Sequence, residues 1–293
     1  MEPKQTILVA GATGNIGKAA ALALAKRGAR VVLLGRSAEK LENKADLICN
    51  ALSDEGIEFN KQDIQTLEIN FADLRSVRMA AKEALKRYPN INGLVLSVGV
   101  LLQGELNILP SGHEIMFATN VLGPFLFTQL LLKRLQESNS MVLHVIAPFQ
   151  KKINWDDIES KKNYKTMLAF DRTKVYNRIF AGELARRSAG KISSVAFHPT
   201  YVIDKSDPEL ATRWPSGLIG FFWRMMTLLF AKQTWVAGEP IAELLLTNQD
   251  RHAMNGGLFK LYKRIEADKA MKDEIAGKRL WTELSIKTGL ASQ

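Results

Sequence analysis

The sequence predicts an α/β fold: a doubly wound parallel sheet with helices on both faces, forming a single domain over residues 1–293, with an apolar insertion at approximately 204–238. Three observations predict it. Short apolar strands alternate with helical stretches, a glycine-rich turn joins the first strand to the first helix, and no linker, repeat or low-complexity tract divides the chain. A composition of 46% hydrophobic and 24% charged residues supports a substantial core and excludes disordered, collagenous and coiled-coil classes.

The elements follow in order. Thr6 to Ala10 is an apolar run that ends in Gly11-Ala12-Thr13-Gly14-Asn15-Ile16-Gly17, and the alanine-rich stretch Lys18 to Arg27 has helical spacing. Gly28 ends that helix, Arg30 to Leu34 forms a second strand, and Gly35-Arg36-Ser37 leads into a helix containing Lys40 to Leu52. Further strands are expected at Thr66 to Phe71, Gly93 to Val98, Met141 to Ile146 and Ser193 to Phe197. The stretches between them are long enough for helical crossovers, which parallel strands require. From Asp204 to Gly238 the alternation breaks, and the tail from Gly277 has helical spacing that suits a cover on the side of the sheet.

Charge and special residues narrow the setting. Forty Lys and Arg against 30 Asp and Glu give a formal charge of +10, which suits an anionic ligand, an acidic membrane surface or nucleic acid without choosing among them. The basic pairs Lys151-Lys152, Lys161-Lys162 and Arg186-Arg187 come with no nucleic-acid-binding module and read as solvated surface, so no nucleic-acid partner is expected. Cys49 alone excludes an intrachain disulfide framework and reads as a buried apolar residue in a reducing compartment. His113, His144, His198 and His252 are scattered, so no metal site is expected, and His144 within an apolar strand reads as a hydrogen-bonded core residue. No signal peptide is legible at the start, and the apolar run Gly217 to Ala231 is broken by Arg224 and falls short of the roughly 20 residues that span a bilayer. A cytoplasmic protein is expected, with peripheral contact to a membrane as the alternative.

The glycine turn carries the first functional signal. Glycines at 11, 14 and 17 allow a tight turn and bring backbone N–H groups close to a pyrophosphate at the N-terminus of the next helix. The strand–turn–helix context is that of a Rossmann-type dinucleotide-binding unit, with Gly11, Thr13, Gly14, Asn15, Ile16 and Gly17 as the cradle. At the end of the second strand, where an acidic residue would bind the ribose hydroxyls of NAD, stand Arg36 and Ser37. A guanidinium pairs with a 2′-phosphate, so NADP(H) is preferred over NAD(H).

With these landmarks the chain resembles the short-chain dehydrogenase/reductase family, particularly its retinol-dehydrogenase-like members. The landmarks are the glycine turn, Ala72-Asp73-Leu74-Arg75-Ser76-Val77, Gly99, Asn120-Val121-Leu122-Gly123-Pro124-Phe125, Lys174 in a helix continuing Glu183-Leu184-Ala185-Arg186-Arg187, and His198-Pro199. The resemblance implies hydride transfer to or from a nicotinamide. It also implies a tyrosine that moves the substrate proton, a lysine that lowers its pKa and holds the ribose, a serine that orients the carbonyl and an asparagine that supports a water relay. It places Lys174 in the lysine's role and Asn120 in the asparagine's, and Asn70, Ser97, Gly99, Lys174, Pro199 and Val202 beside the coenzyme. At the family's Tyr-x-x-x-Lys position the chain reads Phe170-Asp171-Arg172-Thr173-Lys174, and at the serine position it has Ala147. Neither side chain moves a proton. The glycine after Pro199 is Thr200, and the family's adenine-facing aspartate is Asn70.

Candidate substitutes for the proton donor are Tyr164, Tyr201 and Asp171, the last adjacent to Phe170 but turned about 100° around the helix and otherwise a solvated residue. The leading expectation is an NADP(H)-dependent oxidoreductase acting on an apolar carbonyl, alcohol or conjugated substrate with a donor other than tyrosine. The alternatives are an NADP(H)-binding pseudoenzyme with a regulatory or assembly role, and a non-redox enzyme such as a cyclase. The run Leu218 to Phe230 reads as a substrate lid or core cover, with a membrane-surface helix or a contact between copies of the chain as other readings.

Overall fold

The computed structural model describes residues 4–147, 151–203, 225, 229, 231–247 and 250–290. Its frame is one eight-stranded sheet in the order β10-β9-β6-β5-β4-β1-β2-β3. The strands are β1 (Thr6–Ala10), β2 (Arg30–Gly35), β3 (Ile64–Glu68), β4 (Gly93–Leu96), β5 (Met141–Val145), β6 (Ser193–His198), β9 (Leu258–Lys260) and β10 (Lys263–Ile265). A separate short pair joins β7 (Val202–Ile203) to β8 (Lys232–Gln233). Every residue of β1, β4 and β5 is buried, as expected for near-continuous apolar strands covered on both faces.

One face carries α1 (Asn15–Lys26), α2 (Ala38–Asp54) and α6 (Trp235–Leu246) over a core that includes Leu24, Leu41, Ile48 and Ile241. The buried alanines of α1 let α6 come close: a Cβ on Gly238 would lie 2.5 Å from the Ala19 carbonyl oxygen. The other face carries α3 (Leu74–Arg87), α4 (Ile115–Glu137) and α5 (Thr166–Arg187), with α7 (Glu274–Thr288) packed outside them. Helix α4, with 23 residues and a mean hydropathy of 1.6 over its most apolar window, is long and apolar enough to cross a bilayer, but 72% of that window is buried inside the fold. Its apolar character serves the core here.

β1 pairs in parallel with β2 on one side and β4 on the other, Leu8 standing opposite both Val32 and Leu94. The strand order reverses between β1 and β4, and the crevice beyond their carboxyl ends is where an open α/β sheet takes its ligand. Gly11 and Ser97 lie at this crevice.

Several boundaries differ from the sequence expectation. The third strand ends at Glu68 rather than Phe71, because Asn70 bends the chain: its side-chain oxygen accepts from the Ala72 N–H at 3.1 Å, and Asp73 then caps α3. The sheet is not wholly parallel. β10 runs antiparallel to β9, since Leu261 and Tyr262 alone join them, too short a link for a crossover. The tail helix α7 starts at Glu274, capped by Asp273, and lies over helices α4 and α5 rather than on the sheet. Trp281 explains this, its ring meeting Phe125 and Phe180 edge-on or tilted at centroid distances of 5.2 and 6.0 Å.

The expected insertion at 204–238 lies outside the described residues apart from positions 225, 229 and 231–238. Val202 and Ile203, just before it, pair in parallel with Lys232 and Gln233. Met225 and Leu229 are exposed.

Candidate active site

The glycine turn is shaped by sterics. Gly11 has φ +79°, and its N–H and that of Ala12 donate to the Leu34 carbonyl at 3.1 and 3.2 Å, strapping the turn to β2. A Cβ on Gly11 would press on the Ser97 backbone at 3.0 Å, and one on Gly17 would collide with the Gly11 carbonyl. Gly14 caps α1 with no side-chain bond, and the first turn holds no acidic residue, so the first N–H groups of α1 are left for an anion. Thr13 and Gly14 are exposed, and Asn15 and Ile16 are half-buried.

At the tip of β2, Arg36 is exposed, and no carboxylate among the described residues pairs with it. Ser37 caps α2, its hydroxyl accepting from the Lys40 N–H at 3.2 Å. The acceptor of Asn70 is committed to its own turn, and the Asn70 N–H donates to Ser76 Oγ at 2.9 Å. Ser97 donates its hydroxyl to the Ala10 carbonyl at 2.6 Å, pinning β4 to the end of β1. The residues that meet the crevice thus fit a dinucleotide, with a bare helix N-terminus for the pyrophosphate and a free guanidinium at the ribose end.

The other end of the crevice is built on α4 and α5. Residues Ala118–Leu122 form a π-turn within α4, a distortion that recurs at functional sites. It presents Asn120, which is fully buried. The Asn120 Oδ1 accepts from the Val100 N–H at 2.8 Å, and its Nδ2 donates to the Val100 carbonyl at 3.0 Å and to Thr173 Oγ1 at 3.2 Å. Asn120 therefore locks the loop after β4 onto α5, with both amide hydrogens occupied.

Lys174 is 8% exposed, and its Nζ sits 5.4 Å from the centroid of the Phe170 ring, one helical turn earlier. A Cβ on Gly99 would lie 2.5 Å from that nitrogen, the mobile end of a long side chain. Burial alone pulls the Lys174 pKa down to about 8. Ala147 is half-buried just past the end of β5.

Beside this cluster, Pro199 is buried and Thr200 adopts φ +64°, its N–H donating to His198 Nδ1 at 2.8 Å. The left-handed backbone accounts for a glycine being suited to position 200. The buried Thr200 hydroxyl oxygen has no partner among the described residues, leaving one polar atom for a ligand. Val202 is half-buried in β7.

The candidate substitute donors have different surroundings. Asp171 is buried, not solvated, because its side of α5 is covered; its Oδ2 lies 3.9 Å from Lys151 Nζ and burial raises its pKa. Tyr164 is half-buried two residues before α5, with its pKa raised mainly by burial. Tyr201 is 47% exposed on the bend after Thr200.

A cavity of about 690 Å³ is lined by the charged Lys151, Arg178, Asp268 and Lys269 together with Val175 and Ala267 among others. Apolar surface instead flanks the start of α5. Leu101 and Leu102, each 39% exposed, and Met167, 50% exposed, lie on two segments joined by the Thr166 hydroxyl donating to the Gly104 carbonyl at 2.9 Å. The apolar letters of the loop after β4 carried that signal in the sequence.

Two expectations outside the site resolve clearly. His144 is a core residue, its Nε2 3.2 Å from Ser194 Oγ and its pKa lowered to about 3 by burial. Arg186 and Arg187 are not simply solvated: both pair with the buried carboxylate of Glu183, at 2.9 and 2.7 Å, because a buried charge needs partners. Among the described residues, no three His, Cys, Asp or Glu side chains group as a metal site.

Comparison with known proteins agrees with this architecture. The short chain dehydrogenase family profile matches residues 5–147. Retinol dehydrogenase 13 of Mus musculus is 30% identical over 298 aligned residues, covering 99% of this chain and 85% of that protein. Retinol dehydrogenase 11 of Homo sapiens is 32% identical over 225 residues, covering 75% and 68%. Among solved structures, an uncharacterized protein of Mycobacterium paratuberculosis superposes with a TM-score of 0.70 at 23% identity, covering 98% of this chain and 94% of that one. A blue fluorescent protein from a metagenomic library, solved with NADPH, gives a TM-score of 0.63 at 19% identity, covering 88% and 96%. The sheet order, the glycine turn and these relatives together place the chain in the short-chain dehydrogenase/reductase family, among its retinol-dehydrogenase-like members.

Proposed function

We propose that this chain is an NADP(H)-dependent oxidoreductase that acts on an apolar carbonyl, alcohol or conjugated substrate and moves the substrate proton through a group other than tyrosine. The observation that carries the coenzyme reading is the exposed, carboxylate-free Arg36 at the tip of β2, directly beside the glycine turn. A guanidinium there attracts a 2′-phosphate, whereas position 36 carries no acidic side chain to hold two ribose hydroxyls.

The bound nicotinamide would supply two electrons and a hydrogen to the substrate carbon, or remove them. The protein would supply the rest. Gly11 to Gly17 and the first N–H groups of α1 would hold the pyrophosphate, Arg36 and Ser37 the phosphorylated ribose, and Lys174 and Thr200 would serve the reacting end. Apolar Leu101, Leu102 and Met167 support an apolar substrate, and the relatives' names make a long apolar alcohol or its aldehyde the first to try.

A second reading has its own support. Phe170 and Ala147 provide neither a proton nor a hydrogen bond from their side chains, which suits a pseudoenzyme that binds coenzyme without turnover. Measurement of NADPH consumption with aldehydes, ketones and enones separates the two. Substrate-dependent oxidation of NADPH is expected; a folded protein that binds NADPH and oxidises it with none of them would leave the pseudoenzyme reading standing.

A further inference from the structure

Helix α5 carries two neighbouring strips of side chains. Phe170 and Lys174 form one, and Asp171, Val175 and Arg178, at i, i+4 and i+7, form the other. Val175 and Arg178 line the cavity of about 690 Å³, with Lys151 from the segment after β5 and most of residues 266–272, which follow β10. The volume lies within the range of about 300–1,000 Å³ that holds small molecules. The wall after β10 is fixed in place. Arg186 Nη1 donates to the Met271 carbonyl at 2.9 Å, Asp268 Oδ1 accepts from the Met271 N–H at 3.1 Å, and a Cβ on Gly182 would collide with the Met271 carbonyl.

The charges around this cavity do not balance. Lys151, Arg178, Lys269 and Lys272 line it against only Glu266 and Asp268. Arg178, 3% exposed, is held by Asp268 at 2.6 Å, so this pair makes a fixed floor and adds no net charge. Lys272 pairs with Glu266, and both side chains are largely exposed, so that pair exchanges partners at little cost. Two cations are left over. Lys269 makes no ion pair with a carboxylate among the described residues, and Lys151 Nζ lies 3.9 Å from Asp171 Oδ2, too far for a hydrogen bond.

We propose that this cavity is a second ligand site, separate from the coenzyme cradle, and that it binds the phosphate group of a small molecule through Lys151 and Lys269. None of its lining residues belongs to the glycine turn or to the tip of β2. The charge decides the ligand class. A phosphate monoester carries about −1.5 to −2 charges near neutral pH and three acceptor oxygens, which matches two uncommitted ammonium groups, whereas a carboxylate would neutralise only one of them. A concave wall with a surplus of one sign also concentrates counter-charged ligands before contact. Val175, Ala267 and Ala270 are small and leave the rest of the volume to whatever the phosphate is attached to.

Calorimetric titration of the full chain at low ionic strength, with inorganic phosphate in one arm and glycerol 3-phosphate in the other, tests the site. Both probes should bind, and more weakly as salt is added. Equal affinities would identify the free ion as sufficient, and tighter binding of glycerol 3-phosphate would identify the esterified group. Lys151→Ala and Lys269→Ala should each weaken binding about 10-fold, as expected for one lost charge-assisted hydrogen bond. Both lysines are exposed, so the Tm of these variants should stay near that of the wild type. Gly17→Ala, which disturbs the coenzyme cradle, should leave phosphate binding at this site unchanged.

Folded protein that binds neither probe, or binding that survives the double substitution of Lys151 and Lys269, would overturn the site. Binding lost in Gly17→Ala but kept in the lysine variants would assign the phosphate to the coenzyme cradle and overturn it equally. No turnover is measured, so the result stands apart from the reductase reading.

Discussion

The two ends of the crevice obey different physics. At the coenzyme end, Gly11, Gly14 and Gly17 are fixed by contacts that leave little or no room for a side chain, and the helix they introduce leaves its N-terminus open. At the reaction end, the supporting frame of Asn120, Val100 and Thr173 is closed by hydrogen bonds, yet the side chains it displays include an aromatic ring and a methyl group. Recognition depends on backbone shape, which tolerates little change, whereas proton transfer depends on one or two side-chain atoms. A fold can therefore keep the first while the second moves to another group.

Changing the reaction end tests that separation with the largest expected effect. The double substitution Ala147→Ser and Phe170→Tyr adds a hydroxyl beside Lys174 and a second one past β5. Reduction of ketones by NADPH should rise about 100-fold, at the low end of what a positioned acid contributes, with the Kd for NADPH nearly unchanged. Steady-state kinetics and calorimetry on the same preparation check both halves. A parallel loss of coenzyme binding would show that the two ends are coupled.

The converse change comes next. Gly17→Ala places a methyl group against the Gly11 carbonyl, and relieving that clash should cost about 1–3 kcal/mol of local distortion. NADPH affinity should drop by about 5- to 150-fold, the same energy expressed as binding. Thermal unfolding with and without coenzyme would separate weakened binding from global destabilisation.

The smallest effect is expected at Thr200, where a β-branched residue holds φ +64°. Thr200→Gly should relieve about 1 kcal/mol of backbone strain, offset in part by the greater freedom of glycine in the unfolded chain. A slight rise in Tm is expected, with a modest loss of coenzyme affinity if the unpartnered Thr200 hydroxyl meets it.

Much of this frame was legible in the sequence because it rests on local signals. Thr6–Ala10 could be read from its apolar run, and the turn after it from its glycines. The edge of the sheet was not legible: Leu258–Lys260 and Lys263–Ile265 are three-residue strands whose pairing depends on β6, far away in the chain. The same limit applies in the site. The lysine four residues after Phe170 was visible, but its burial, its lack of an acidic partner among the described residues and its approach to Gly99 arise only when α4, α5 and the loop after β4 come together. Asp171 shows the opposite error. A charged residue on a helix reads as solvated, yet tertiary packing buries this one against Lys151.

The central claim is that a glycine cradle and Arg36 select a 2′-phosphorylated nicotinamide coenzyme, and calorimetric titration with NADPH and NADH, on wild type and Arg36→Ala, tests it most directly. NADPH should bind about 10- to 100-fold more tightly than NADH, a difference worth one charge-assisted hydrogen-bond pair, and Arg36→Ala should remove most of it by weakening NADPH alone. Folded wild-type protein that releases no heat with either coenzyme, or binds both equally, would contradict the account.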